Sequence, residues 1–150
     1  MVFGVFDCFH KGHEYFLLEA KKQCGELIVV VTLPEIVELI KKRLPQDSLN
    51  TRMKNIENFD KEFIVVPGDA IMGEWAVLKT HKPDMVFLGY DQQGIAGELD
   101  RLGIMYTYIE SHYPEKYKTS QIRMRHLKKD LKDVSFFERE KKNGRYVTNK

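Results

Sequence analysis

Five short apolar runs, at residues 2–6, 27–31, 63–66, 85–88 and 104–109, constrain this 150-residue chain more than any other feature of its sequence. The second, Leu27-Ile28-Val29-Val30-Val31, is apolar without interruption. A strand wetted on one face alternates apolar with polar residues, so an unbroken run predicts a strand covered on both faces, as in a parallel sheet. Between the runs the spacing predicts helices over 14–23, 34–40, 49–58, 75–81 and 94–101, with a last helix over 120–131. In the first of these, Tyr15, Phe16, Leu18 and Ala20 supply the apolar face. Pro67-Gly68 and Lys82-Pro83-Asp84 stop the third strand and the fourth helix, and Gly103 stands where a helix C-cap glycine belongs. Strands alternating with helices imply a Rossmann-like α/β fold: a doubly wound, parallel, five-stranded sheet with right-handed crossovers. Ligands in such sheets bind at the carboxyl ends of the strands, where the strand order reverses.

Two segments with chemical character fall at that edge. Gly4-Val5-Phe6-Asp7-Cys8-Phe9-His10-Lys11-Gly12-His13 follows the first strand and leads into the first helix. A helix N-terminus attracts phosphate, Gly12 permits close backbone approach, and two imidazoles can donate to phosphoryl oxygens as charge builds on them. A histidine pair can also bind metal, but no cysteine or carboxylate cluster beside it completes a zinc site, so no protein-bound metal is expected. Gly89-Tyr90-Asp91-Gln92 follows the fourth strand and lies at the same edge.

Composition excludes several classes. The chain is 43% hydrophobic and 31% charged with a net charge of +2, which is ordinary for a globular protein and does not point to nucleic acid. Two cysteines, Cys8 and Cys24, fit a reducing cytoplasm without a disulfide framework. No charged leader with a long apolar run opens the chain, and no membrane span is expected. The expected organisation is one domain over 1–131 and a basic, partly disordered tail over 132–150. A nucleic-acid partner is not expected of that tail, whose aromatics are limited to Phe136, Phe137 and Tyr146.

The decapeptide at 4–13 resembles the Gly-x-Phe-Asp-x-x-His-x-Gly-His signature of the cytidylyltransferase-like nucleotidylyltransferases, which include glycerol-3-phosphate cytidylyltransferase, phosphopantetheine adenylyltransferase and the archaeal-type FAD synthases. The resemblance runs from the first strand to about Arg123. Lys41-Lys42-Arg43-Leu44-Pro45 followed by Arg52 is similar to the family's basic loop and next-helix arginine. Gly89-Tyr90-Asp91-Gln92 is similar to a motif of the FAD-synthase-like branch, and Lys118-Thr119-Ser120-Gln121-Ile122 to the motif that opens the last helix. Taken singly these are a surface charge run, a turn and an N-cap; in this order they point to one site. The chain departs from the family at Val5, where threonine is frequent, at Lys42, where glycine is usual, and over 115–120, where the cytidylyltransferase branch has Arg-Thr-x-Gly-Ile-Ser. Its first strand also begins with few residues before it.

The resemblance implies transfer of a nucleoside monophosphate from a nucleoside triphosphate to a phosphorylated acceptor, with release of pyrophosphate and with Mg2+ carried on the triphosphate. His10, His13, Lys41 and Arg52 are the implied catalytic residues. Gly4, Val5, Phe6, Asp7, Gly12, Gly89, Asp91, Gln92, Thr119 and Ser120 are the implied nucleotide-binding residues. The GYDQ segment favours ATP as donor and FMN as acceptor. A CTP-dependent enzyme acting on glycerol 3-phosphate or another polyol or sugar phosphate is the alternative, and a non-catalytic nucleotide-binding regulatory module is the alternative of another class. A cytoplasmic location is the default expectation, and the family implies a homodimer.

Overall fold

The computed structural model describes residues 1–110. The strands are β1 (Val2–Gly4), β2 (Ile28–Val31), β3 (Ile64–Pro67), β4 (Val86–Gly89) and β5 (Tyr106–Ile109). The helices are α1 (Lys11–Lys21), α2 (Pro34–Lys41), α3 (Leu49–Phe59), α4 (Ala76–His81) and α5 (Gln93–Leu102). The five strands form one parallel sheet in the order β3-β2-β1-β4-β5. The last helix, the domain boundary at 131, the tail, Thr119 and Ser120 all lie outside the described residues.

Both faces of the sheet are covered, as the unbroken apolar runs require. Val2, Val29, Val31, Phe87 and Ile109 pack with Leu17 and Ala20 of α1 and Ile56 of α3. Phe3, Val30, Val86 and Leu88 pack with Val77 and Leu78 of α4 and Ala96 and Leu99 of α5. The central strands β1, β2 and β4 are buried almost throughout, while β3 and β5 at the edges are partly exposed. β1 sends its chain to the α1 face and β4 sends its chain to the α5 face, so the switch point lies between their carboxyl ends. No helix among the described residues is long and apolar enough to cross a membrane.

Three local differences from the sequence expectation have physical causes. β1 ends at Gly4 rather than Phe6, because Phe6 turns into the left-handed region at φ 51°. α1 begins at Lys11 rather than Glu14, because His10 is extended and caps it, which places Gly12 and His13 inside its first turn. The buried face of α1 uses Leu17 with Ala20, and Leu18 points to solvent at 43% exposure. Lys42 closes α2 in the left-handed conformation, φ 54° and ψ 31°. That is the conformation a glycine would adopt without strain, so Lys42 carries a strain there that a glycine would not.

Candidate active site

The loop after β1 carries two strained residues within three positions. Phe6 and Cys8 both have φ near 50°, a conformation that costs a non-glycine residue roughly 1 kcal/mol or more. Phe6 folds back so that its ring lies over Gly4: a Cβ on Gly4 would sit 2.7 Å from two of the ring carbons. Gly4 is therefore required by space, not by its own backbone angle. Gly4→Ala must displace a ring that is 2% exposed and in edge contact with His13 at 5.4 Å. The expected result is a loss of about 1–3 kcal/mol, read from urea denaturation, with a fall in activity through the displaced His13.

Hydrogen bonds to the segment before α3 hold the strained loop in place. The Asp7 carboxylate, 4% exposed, accepts from the backbone N–H groups of Gln46 and Asp47 through Oδ1, each at 2.9 Å. The exchange is reciprocal: Cys8 N donates to Asp47 Oδ2 at 3.0 Å, and Cys8 Sγ to Gln46 Oε1 at 3.3 Å. Arg52 on α3 is fully buried and completes the frame. Its Nη1 donates to the carbonyls of Val5 and Thr32, both at 2.8 Å, and its Nε to that of Asp47 at 3.2 Å, while Nη2 is buried without a partner among the described residues. Burial presses the guanidinium pKa down, and Asp7 and Asp47 pull it back up.

Asp47 was not anticipated. An aspartate ahead of a helix reads as a cap or turn residue, and here Ser48 is the α3 N-cap, accepting from Thr51 N. The partner of Asp47 lies some forty positions earlier, so no local pattern could reveal it. Asp7, Cys8 and Asp47 also bring one ligand atom each to within 4.8 Å of one another. The trio does not fit Mg2+, a hard cation that takes a near-octahedral set of oxygens. One member is a thiol, and carboxylate oxygens of the other two already accept backbone N–H groups.

Above this frame the two histidine rings stack, with centroids 3.8 Å apart and planes at 22°. Phe9 stacks on His13 from another side at 5.7 Å, and Phe6 meets it edge-on. His10 caps α1 by accepting from Gly12 N through Nδ1 at 3.1 Å, and the amides of His13 and Glu14 bond to the His10 carbonyl. The first turn of α1 is thus partly satisfied by His10 itself. With Nδ1 accepting, the proton of neutral His10 is assigned to Nε2. His13 Nδ1 is buried without a partner among the described residues. A buried orphan lone pair costs less than a buried orphan N–H, so its proton is also assigned to Nε2.

Burial is the first cause that lowers both pKa values. His10 is pushed down to about 4, with Glu14 opposing the shift, and His13 to about 3, with the charges of His10 and Lys41 adding to the effect. Lys41, exposed at the end of α2, is therefore electrostatically coupled to His13. Both imidazoles are neutral at pH 7. The folded values lie below the unfolded value of 6.5, so below that pH the unfolded chain takes up more protons. The resulting stability is complete above pH 6.5 and is lost as pH falls towards the folded values. At pH 5 the share from His13 amounts to about 2 kcal/mol. Thermal melts of the ligand-free protein should show Tm falling from pH 7 to 5, and His13→Asn should flatten that slope.

At the end of β4, Gly89-Tyr90-Asp91-Gln92 makes a tight turn, with Gln92 N donating to the Gly89 carbonyl at 3.0 Å. Asp91 is exposed, and its Oδ1 lies 3.4 Å from where a Cβ on Gly89 would be. The β1 loop and the β4 turn thus flank the switch point, as the strand pattern predicts.

The sequence pattern of the cytidylyltransferase-like family matches residues 1–125. The FAD synthase of Thermococcus kodakarensis is 33% identical over 132 residues, covering 81% of this chain and 87% of its own length. The FAD synthase of Pyrococcus horikoshii is 34% identical over 132 residues with the same coverage. Among solved structures, the lipopolysaccharide core biosynthesis protein from Thermoplasma volcanium superposes with a TM-score of 0.63 at 29% identity. That match covers 79% of this chain and 96% of the other.

Proposed function

The chain belongs to the cytidylyltransferase-like family, and from that membership we propose that this nucleotidyltransferase uses MgATP and FMN to make FAD. A phosphate oxygen of FMN attacks the α-phosphorus of ATP in line. The new P–O bond forms as the bond from the α-phosphorus to the oxygen bridging the β-phosphorus breaks, and pyrophosphate leaves with that electron pair. No covalent enzyme intermediate is needed, so catalysis reduces to positioning and charge stabilisation.

The observation that carries this reading is the stacked, neutral His10–His13 pair at the carboxyl edge of the sheet, coupled to Lys41. Two Nε2–H donors held by aromatic packing strengthen their hydrogen bonds as charge gathers on the phosphoryl oxygens, without reorganising. Lys41 brings a cation to the departing pyrophosphate. Arg52 supports the site through the loop it holds, with Nη2 the nitrogen left for an added contact. Gly4, Val5, Phe6, Asp7 and Gly12 shape the cradle under the phosphates, and Asp91 on the facing turn serves the ribose. Thr119 and Ser120 complete the triphosphate contacts in this reading. FMN and ATP are favoured by the FAD synthases of Thermococcus and Pyrococcus.

The test is pyrophosphate release in Mg2+ with ATP or CTP crossed against FMN, glycerol 3-phosphate and phosphopantetheine, with products identified by mass. Release with ATP and FMN, giving FAD, is the expected result. Release only with CTP and a polyol phosphate would overturn the choice of substrates. Release with no pair would overturn the assignment of the reaction.

A further inference from the structure

The sheet is closed unequally on the two sides of β1. Towards β2 the register runs to the strand's end, through Val2↔Val29, Phe3↔Val30 and Gly4↔Val31, and Thr32 N still donates to the Gly4 carbonyl at 2.9 Å. Towards β4 the register is the single pair Val2↔Phe87, with Met1 N donating to Met85 O at 2.8 Å and Phe87 N to Met1 O at 2.9 Å. A parallel ladder in this register continues with Gly89 N donating to Phe3 O. In its place stands the side chain of Gln92. Gly89 N donates to Gln92 Oε1 at 2.7 Å, and Gln92 Nε2 donates to Phe3 O at 2.8 Å.

One carboxamide has entered one rung of the ladder and satisfied both of its backbone groups. No other uncharged side chain of this length presents an acceptor and a donor from one planar group. Gln92 is also the residue that precedes α5, a position where serine, threonine, aspartate or asparagine would cap the helix. It makes no side-chain cap bond. Its side chain serves the sheet instead.

We infer that Gln92 is a positioning residue that props β1 and β4 apart at the switch point, setting the width of the crevice that receives the nucleotide. The inference rests on the proposed function, since the crevice matters only if a nucleotide enters between the β1 loop and the β4 turn. Without the wedge the rung can close directly, Gly89 N to Phe3 O, which draws the start of the β4 turn towards the end of β1. Stability and binding then follow different properties of residue 92. Stability follows whether the rung's polar groups are satisfied; binding follows whether the gap is filled.

The experiment uses the full chain and MgATP without acceptor, titrated calorimetrically, with a thermal melt of each variant. Gln92→Ala should keep the Tm of the wild type, because the closed rung replaces two hydrogen bonds with a direct one. It should weaken MgATP binding about tenfold or more, the scale of an ångström-sized misplacement. Gln92→Met fills the gap but cannot satisfy Gly89 N or Phe3 O, so it should lower Tm and weaken MgATP binding several-fold less than Gln92→Ala does. A wedge that is merely structural predicts that Tm and affinity fall together in both variants, and that result overturns the inference. Unchanged affinity in Gln92→Ala overturns it as well. If the wild type itself does not bind MgATP, the proposed function fails first and takes this inference with it.

Discussion

His13→Ala is expected to lower turnover by at least about a hundredfold, the range found when a preorganised transition-state donor is removed. The structure gives the reason for so large a loss. His13 is held between His10 on one side and Phe9 on another, with Phe6 against its edge. It therefore meets a developing charge with little reorientation. Its neutrality matters equally: the pKa pushed down to about 3 by burial, His10 and Lys41 means that it enters the reaction as a neutral donor. Alanine removes the donor and leaves bulk solvent to replace it, which must reorganise as charge develops. The measurement is steady-state pyrophosphate release at saturating ATP and FMN, with a thermal melt to show that the variant is folded. A folded variant with near wild-type turnover would remove His13 from the catalytic role. His10→Ala should be less clean, since it also removes the α1 cap at Gly12 N.

Arg52→Ala is expected to cost about 3–5 kcal/mol of stability, as when one member of a buried charged network is deleted. The side chain is fully buried and binds three backbone carbonyls from three separate segments, those of Val5, Thr32 and Asp47. Its loss leaves those acceptors without a donor and leaves Asp7 and Asp47 without the nearby cation. That cost is a large part of the total stability of an ordinary domain. Arg52→Lys should recover only part of it, because an ammonium cannot reproduce a planar fork that reaches three carbonyls. Urea denaturation checks both. A variant with unchanged stability but reduced activity would instead assign Arg52 a direct contact with phosphate, the role the family resemblance implies.

The strand and helix order was legible from the apolar runs because strand burial and helix amphipathicity are local periodicities. The runs at 27–31 and 85–88 correspond to β2 and β4 within a residue at either end. The boundaries at Phe6 and Lys11 were misplaced where a left-handed turn and a histidine cap override the pattern, and β5 begins two residues later and α1 ends two residues earlier than the spacing predicts. Leu18 was misassigned because it and Leu17 are chemically alike, and only the packing of α1 on the sheet distinguishes them.

The site divides in the same way. The histidine pair and the GYDQ turn could be placed at one edge of the sheet because each follows a strand, and Asp7 and Lys41 could be singled out only by the family resemblance. Their mutual geometry could not. The clasp between Asp7 and the amides of Gln46 and Asp47, the Arg52–Val5 bond and the Gln92–Phe3 bond join residues 39, 40, 47 and 89 positions apart. The sequence by itself determined which strands and helices form over residues 1–110, their order, and which edge of the sheet carries the candidate site, because those follow from spacing along the chain. The tertiary structure alone decided that Arg52 is a buried frame, that the imidazoles are desolvated and neutral, and that a glutamine side chain occupies a rung of the sheet. Each of those depends on which distant groups share a low-dielectric space, and no periodicity in the chain records it.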